Sequence, residues 1–403
     1  MANDTAATTP HERRLIELGW LVLGELEPHT EEVLRLARER MLDRLVALFP
    51  RFDWRLALVR HPRVVQHSPC EASLLLQEGL VEHDERGWDF SFVITPADLQ
   101  TYYKSYAFAM PSRALSIAVV SLARLIPQQH GTTDADRAAQ ADRLCHLFLH
   151  LLGDLNGIEH RADTSDYMSA PGEVEALDAM EHFDEETIEA LGAELDDVAD
   201  IRLEERPQSS ATGMLGFYLQ AIWHLRGDIL SAVVQAQPWQ FPIRLNRLTT
   251  GAVSTLLILM MTAEAWDLGM GQPLGRMAVF SLTVLLGTSV FILRRQKLLL
   301  RRSRRHLSEQ IVLTNTSITL VVFLGMASTY LLLLLLSLVA GQLLFSPALV
   351  SSWASSVDGP IGAHHHVALG QLIASFGILI GSLGASFEGH HYFRHVTYVD
   401  EEL

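Results

Sequence analysis

Over residues 15–165 short apolar runs alternate with amphipathic stretches. Leu18–Leu23, Trp54–Val59 and Asp89–Thr95 read as strands, and Tyr106–Met110 with Ser116–Leu122 as a strand pair. Thr30–Leu48, Glu71–Glu78 and Asp134–Leu152 carry helical spacing. Strands interleaved with helices predict a layered α/β or α+β domain. An acidic helical stretch, Val174–Glu205, follows, and then an amphipathic helix over Met214–Val234 with Tyr218, Ile222, Trp223, Ile229 and Val233 near one side.

Beyond residue 240 the pattern changes from periodic to continuously apolar. Segments 248–266, 277–293, 317–340 and 367–387 are long enough to cross about 30 Å of hydrocarbon as helices, and Glu264 in the first of them sits near its end, at headgroup level. Trp239 and Phe241 with Arg244 and Arg247 read as an interfacial collar before the first span. The expected organisation is a disordered 1–14, a soluble domain over 15–205, a juxtamembrane linker over 206–247, four transmembrane helices within 248–387 and a cytoplasmic tail over 388–403.

Charge divides the chain at the same place. Residues 1–240 hold 20 Lys+Arg against 39 Asp+Glu, whereas residues 241–403 hold 11 against 8. An acidic domain repels phosphate backbones, so nucleic acid is not an expected partner. The segment Arg294–Gln310 carries Arg294, Arg295, Lys297, Arg301, Arg302, Arg304 and Arg305, which places it on the cytoplasmic side. Counting spans from there puts both termini in the cytoplasm of a multi-pass inner-membrane protein. Two cysteines, Cys70 and Cys145, and the lack of a secretory signal in Leu15–Leu26 agree with that side.

The spans are almost free of ionisable residues at mid-membrane, which favours an anchor or assembly module over a pump. In the last span Gly370, Ala374, Gly377, Gly381 and Gly384 form a small-residue stripe that admits close helix approach. It serves either packing within one chain or self-association. Glu388, His391 and His395 continue the stripe's rhythm and make a second candidate ligand set on a shared face.

The chemistry concentrates in HLFLHLLGDLNGIEHRADTSDYMSAP, residues 146–171. This segment resembles the metzincin signature HExxHxxGxxH with its Met-turn, in a register that places His150, Asp154 and His160 on the three ligand positions, Gly157 on the glycine and Met168 on the Met-turn. The stretch WDFSFVITPADLQTYYKSYAFAMPSRALSIAVVSLARL, residues 88–125, is similar to the archaemetzincin region preceding the ligand helix. The resemblance spans roughly residues 15–190, with motifs over Trp88–Pro171. It implies an α+β domain with a mixed sheet, fused here to an all-α transmembrane bundle, and a zinc tripod. Ligands at i and i+4 share a helical face, the glycine permits a sharp exit, and the third ligand returns to close the tripod.

Two signature positions differ. The family's general-base glutamate is Leu151 and its second histidine is Asp154. Two histidines and one carboxylate suit zinc or iron. Losing a general base costs roughly 10²–10⁴-fold in rate. Glu159, Asp163 and Asp166 lie nearby as substitute carboxylates, and an alternative ligand register, His146 with His150 and His160, loses the glycine spacing. The expectation is therefore a membrane-anchored, cytoplasmic metzincin-like protein with impaired catalysis, a pseudo-protease that binds, senses or scaffolds, with a protein or peptide ligand. The alternatives are an active zinc peptidase using His150, Asp154 and His160, and a regulated channel or assembly protein.

Overall fold

A computed structural model describes residues 14–61, 68–126, 133–199, 223, 226–299, 309–357, 359–387 and 390–403. Residues 1–13 of the expected disordered 1–14, residues 206–222, 224 and 225 of the juxtamembrane linker, most of the Arg-rich 294–310 loop and Glu388 lie outside the described residues, while Arg14 begins the first strand. The chain forms two units, residues 1–209 with 401–403, and residues 210–400.

The first unit is built on strands β1 (Arg14–Leu23), β2 (Phe52–His61), β3 (Phe90–Thr95), β4 (Ala109–Ser112) and β5 (Ile117–Ser121). They form one mixed sheet of order β2-β1-β3-β5-β4, parallel throughout except for β4, which runs antiparallel to β5 at the edge. Strands β3 and β5 are buried along their whole length, as strands covered on both faces must be. At the opposite edge β2 alternates, with Phe52, Trp54 and Leu56 buried and Asp53 and Arg55 exposed.

Strand pleating sorts the residues between two layers of helix. Ile16, Leu18, Trp20, Phe90, Phe92, Ile94, Ala118 and Val120 share one core with α1 (Pro28–Leu48) and α3 (Asp134–Leu155). On the other face α2 (Ala72–Arg86) lies against Val93 and Ile117, with His83 Nδ1 and Ser91 Oγ 2.8 Å apart. Helix α3 starts at a capping box between Thr133 and Asp136, and its second half, Leu144–Leu155, is buried without interruption. Phe148 anchors it, its ring 4.3 Å from Trp20 and 5.1 Å from Phe92.

The acidic stretch is not one helix. A 3₁₀ turn over Val174–Ala179 is followed by extended backbone and then by α4 (Glu185–Val198). The interruption arises because the backbone at 181–182 pairs with the loop after α3: Tyr167 N donates to His182 O at 2.7 Å and Glu181 N to Ser165 O at 2.8 Å. Asp184 then caps α4 through Thr187 N.

In the second unit the principal helices are α5 (Arg226–Gln235), α6 (Asn246–Met260), α7 (Ala263–Met270), α8 (Leu274–Arg295), α9 (Glu309–Leu343), α10 (Ala363–Ala385) and α11 (His390–Tyr398). Among the described residues, α8, Thr314–Leu343 of α9, and α10 are long and apolar enough to cross a membrane. The expected straight span over 248–266 is instead the pair α6 and α7, bent by 89°. Thr262 is extended at the break, its hydroxyl donating to Ile258 O, and the Trp266 indole donates to Met260 O at 2.9 Å. The indole answers a carbonyl that the interrupted helix leaves without its usual partner, and the Ile258 carbonyl also accepts from Met261 N at 3.1 Å.

Outward faces of these helices are apolar, with Val279, Leu282, Leu331 and Leu335 all exposed. Inside, Tyr330 donates to Ser281, which meets Ser375 at 3.0 Å, a polar link across α8, α9 and α10. Gly377, Gly381 and Gly384 of the small-residue stripe lie against α6 of the same chain, where a Cβ at Gly381 would stand 2.7 Å from the Leu248 carbonyl oxygen, while Gly370 faces Leu334 and Ser337 of α9. Phe241 departs from the collar expectation, since it is buried against Phe393 while Trp239 is exposed. Of the second ligand set, His395 is buried in α11, and the His391 side chain, like Glu388, lies outside the described residues.

Candidate metal centre

The buried end of α3 carries His150 and Asp154 one turn apart, at 0% and 5% exposure. His150 Nδ1 is 2.6 Å from the Tyr167 carbonyl oxygen. A carbonyl only accepts, so Nδ1 holds the proton and Nε2 presents its lone pair to the other side. There it faces Asp154 Oδ2 at 3.2 Å, and neither atom has a hydrogen-bond partner.

After α3 the chain turns at Gly157, whose φ of +73° lies in the left-handed region and whose missing side chain leaves room for Arg113 Nη1. The turn brings His160 back, with Nε2 3.2 Å from Asp154 Oδ1 and its ring stacked on that of His150 at 5.2 Å. One ligand atom from each of His150, Asp154 and His160 lies within 4.8 Å of the others. Two ligands held about 2.0–2.1 Å from a tetrahedral zinc stand roughly 3.3 Å apart, close to both carboxylate–imidazole separations seen here. Two buried lone pairs facing one another without a proton between them are the arrangement a cation resolves, so the donor set fits a metal ion.

Electrostatics bind the three together. Burial alone would raise the Asp154 carboxyl, but the two histidines beside it hold it below its ordinary value. The Asp154 hydrogen bond raises His160 above 6.5, against the opposing effect of burial.

Met168 is fully buried and packs against α3 at Gly153, where a Cβ would fall 2.2 Å from its sulfur. Its carbonyl accepts from Arg161 N at 2.9 Å, and its amide donates to Asp166 Oδ1 at 2.7 Å, which closes the loop on which His160 begins. His146 points away from the cluster, its Nδ1 2.8 Å from Leu177 O, so the alternative register is not assembled. Asp166 is spent on Met168 N and Asp184 N, Asp163 on Ser165, and Glu159 is exposed. Leu151 is wholly buried in the apolar core.

One neighbour of the centre had no local signal in the sequence. Glu401 Oε2 lies 4.0 Å from His160 Nδ1, the nitrogen turned away from Asp154. Only its place some 240 positions after His160 in the numbering hid it.

No protein-family model and no curated protein sequence matches the chain. Among solved structures it is similar to archaemetzincin from Methanopyrus kandleri, at 19% identity over 47% of this chain and 99% of that one, with a TM-score of 0.36. A zinc-dependent peptidase from Methanocorpusculum labreanum matches at 17% identity over 43% and 99% of the two chains, with a TM-score of 0.34. Archaemetzincin from Archaeoglobus fulgidus, complexed with malonate, matches at 16% over 43% and 99%, with a TM-score of 0.32.

Proposed function

We propose that the sheet unit is a metzincin-like zinc-binding module that has lost ordinary peptidase chemistry and binds a protein or peptide partner at a membrane surface. The observation that carries this reading is the pair of buried, unpartnered atoms His150 Nε2 and Asp154 Oδ2, aimed at one another beside His160. Zinc bound there would supply Lewis acidity. His150 is oriented by the Tyr167 carbonyl, Asp154 lies between the two histidines, and Leu151 offers no proton acceptor where the signature has its glutamate. Of the nearby carboxylates in the loop after α3, Asp163 and Asp166 are engaged in loop structure and Glu159 is exposed, so none of these three takes the place of the missing glutamate.

The helical unit is the anchor in this reading, with both ends of the chain on the cytoplasmic side of the inner membrane. Support comes from the seven cations of 294–310 and from the apolar outward faces of α8 and α9.

Elemental analysis of the full chain purified in detergent tests the metal. One zinc per chain is expected, with loss in His150→Ala and Asp154→Ala. Unfolded casein should survive the zinc-loaded chain equally with and without chelator. Chelator-sensitive cleavage that disappears in His150→Ala would make the protein an active peptidase.

A further inference from the structure

Strand β4 is the edge of the sheet, and an edge exposes backbone groups to any extended segment that meets it. Here the edge is taken. Leu403 N donates to Ala109 O at 2.9 Å, and Leu403 O accepts from Phe108 N at 2.7 Å and from Ala109 N at 3.4 Å. The Leu403 side chain is buried within the main core. One residue earlier the Glu402 carboxylate, also buried, accepts from three successive backbone amides, Tyr102 N, Tyr103 N and Lys104 N, at 2.8, 3.1 and 2.8 Å. Consecutive amides converging on one anion form a nest, a site selective for a carboxylate or similar group. Glu401 completes the segment, 3.8 Å from Lys104 Nζ and 4.0 Å from His160 Nδ1.

These are the elements by which a sheet edge reads a peptide: main-chain pairing, an apolar pocket for one side chain and a charge-specific site for its neighbour. Glu401–Leu403 groups with the sheet unit, whereas residues 210–400 form the other unit. Through Glu401 the segment reaches His160 of the metal centre.

We propose that Glu401–Leu403 is an exchangeable plug: the β4 edge and the Tyr102–Lys104 nest form a recognition site for an extended peptide carrying an acidic residue followed by an aliphatic one, and the chain fills that site with its own segment. Recognition of the peptide stands on the edge and the nest alone; its consequence at His160 rests on the metal-centre reading above. In the plugged state an incoming peptide competes with a tethered copy of the same motif, so its apparent affinity is reduced by the small fraction of open sites.

The test uses the full chain in detergent and a fluorescein-labelled peptide of sequence Asp-Glu-Glu-Leu, read by anisotropy, with zinc titrated separately. Deletion of 401–403, and independently Glu402→Lys, which keeps Leu403 but is repelled by the nest, should each raise peptide affinity about tenfold or more over the parent. The peptide Asp-Glu-Lys-Leu should not bind. Amide exchange at Tyr102, Tyr103 and Lys104 should be slow in the parent, fast in Glu402→Lys and slow again with saturating peptide. Variants that fold and take up zinc but capture peptide no better than the parent would overturn the proposal, as would unfolding of both variants, which would make the segment a permanent strand. Peptide capture by variants that bind no zinc would leave the plug standing and remove the metal reading instead.

Discussion

The sulfur of Met168 rests against the bare Cα of Gly153 on α3, where a Cβ would come within 2.2 Å of it. This contact fixes the distance between the helix that carries His150 and the loop that leads back from His160. Gly153→Ala should therefore destabilise the sheet unit by about 1–3 kcal/mol, the ordinary cost of overpacking a filled core. Met168→Ala costs about 2–5 kcal/mol alone. The double variant should be more stable than the sum of the two losses, as thermal melts of parent, singles and double would show; strict additivity would mean that the two residues do not share the space.

Restoring the signature's glutamate should be costly. Leu151 is enclosed by core side chains, so Leu151→Glu places a carboxyl where nothing solvates or pairs it. A loss of about 2–4 kcal/mol is expected, with partial recovery at low pH as the new carboxyl protonates. A melt of Leu151→Glu unchanged from the parent would show that position 151 is open to solvent.

Acid should weaken the sheet unit through His146. Burial holds this imidazole below its ordinary 6.5, while its Nδ1 pairs with the Leu177 carbonyl. The unfolded chain then binds the proton first on acidification. The stability contributed by the neutral ring is complete above about pH 6.5 and declines as the pH falls through the window between that value and the depressed one. His160, raised by Asp154, acts in the opposite sense above 6.5, so the comparison is made within a variant pair. Amide exchange in β3 measured at about pH 7.5 and pH 5.5 should show a smaller acid-induced loss of protection in His146→Asn than in the parent, and an equal loss would exclude His146 as the cause.

Topology is open to thiol labelling on whole cells. Cys70 and Cys145 are buried, and burial raises their thiols to about 11 and about 12, so neither should react in the folded protein. A cysteine introduced at Val357 should label with an impermeant reagent from outside, and one at Ser303 should label only after lysis. The reverse pattern would invert the orientation.

What the sequence reveals follows the range of the interactions concerned. Strands β1, β3 and β5 are readable because burial on both faces demands apolar runs, and α3 because its buried face repeats with helical spacing over Asp134–Leu152. His150, Asp154 and His160 converge through local devices, a helical turn and the exit at Gly157, both visible in the spacing. The bend at Thr262 is invisible to hydropathy because Met260–Thr262 is as apolar as its surroundings, and it depends on a carbonyl that Trp266 satisfies. The interruption of the acidic stretch depends on pairing between 181–182 and the loop after α3, and nothing local marks it. Glu401 and Glu402 were unreadable for the same reason at greater distance: their partners are amides and a histidine in another part of the chain.

The plug also sets an order of events in synthesis. Among the described residues, 14–199 contain every strand and emerge before the three residues that cover the β4 edge, which are made only after the described helices of the second unit. At ribosomal rates of 5–20 residues per second this interval is roughly 10–40 s. For that time the nascent sheet carries an unpaired edge and an empty anion nest, long enough for a chaperone or another strand to reach them. A ribosome stalled before residue 401 should therefore present a folded sheet unit whose β4 edge is open, and synthesis through Leu403 would close it.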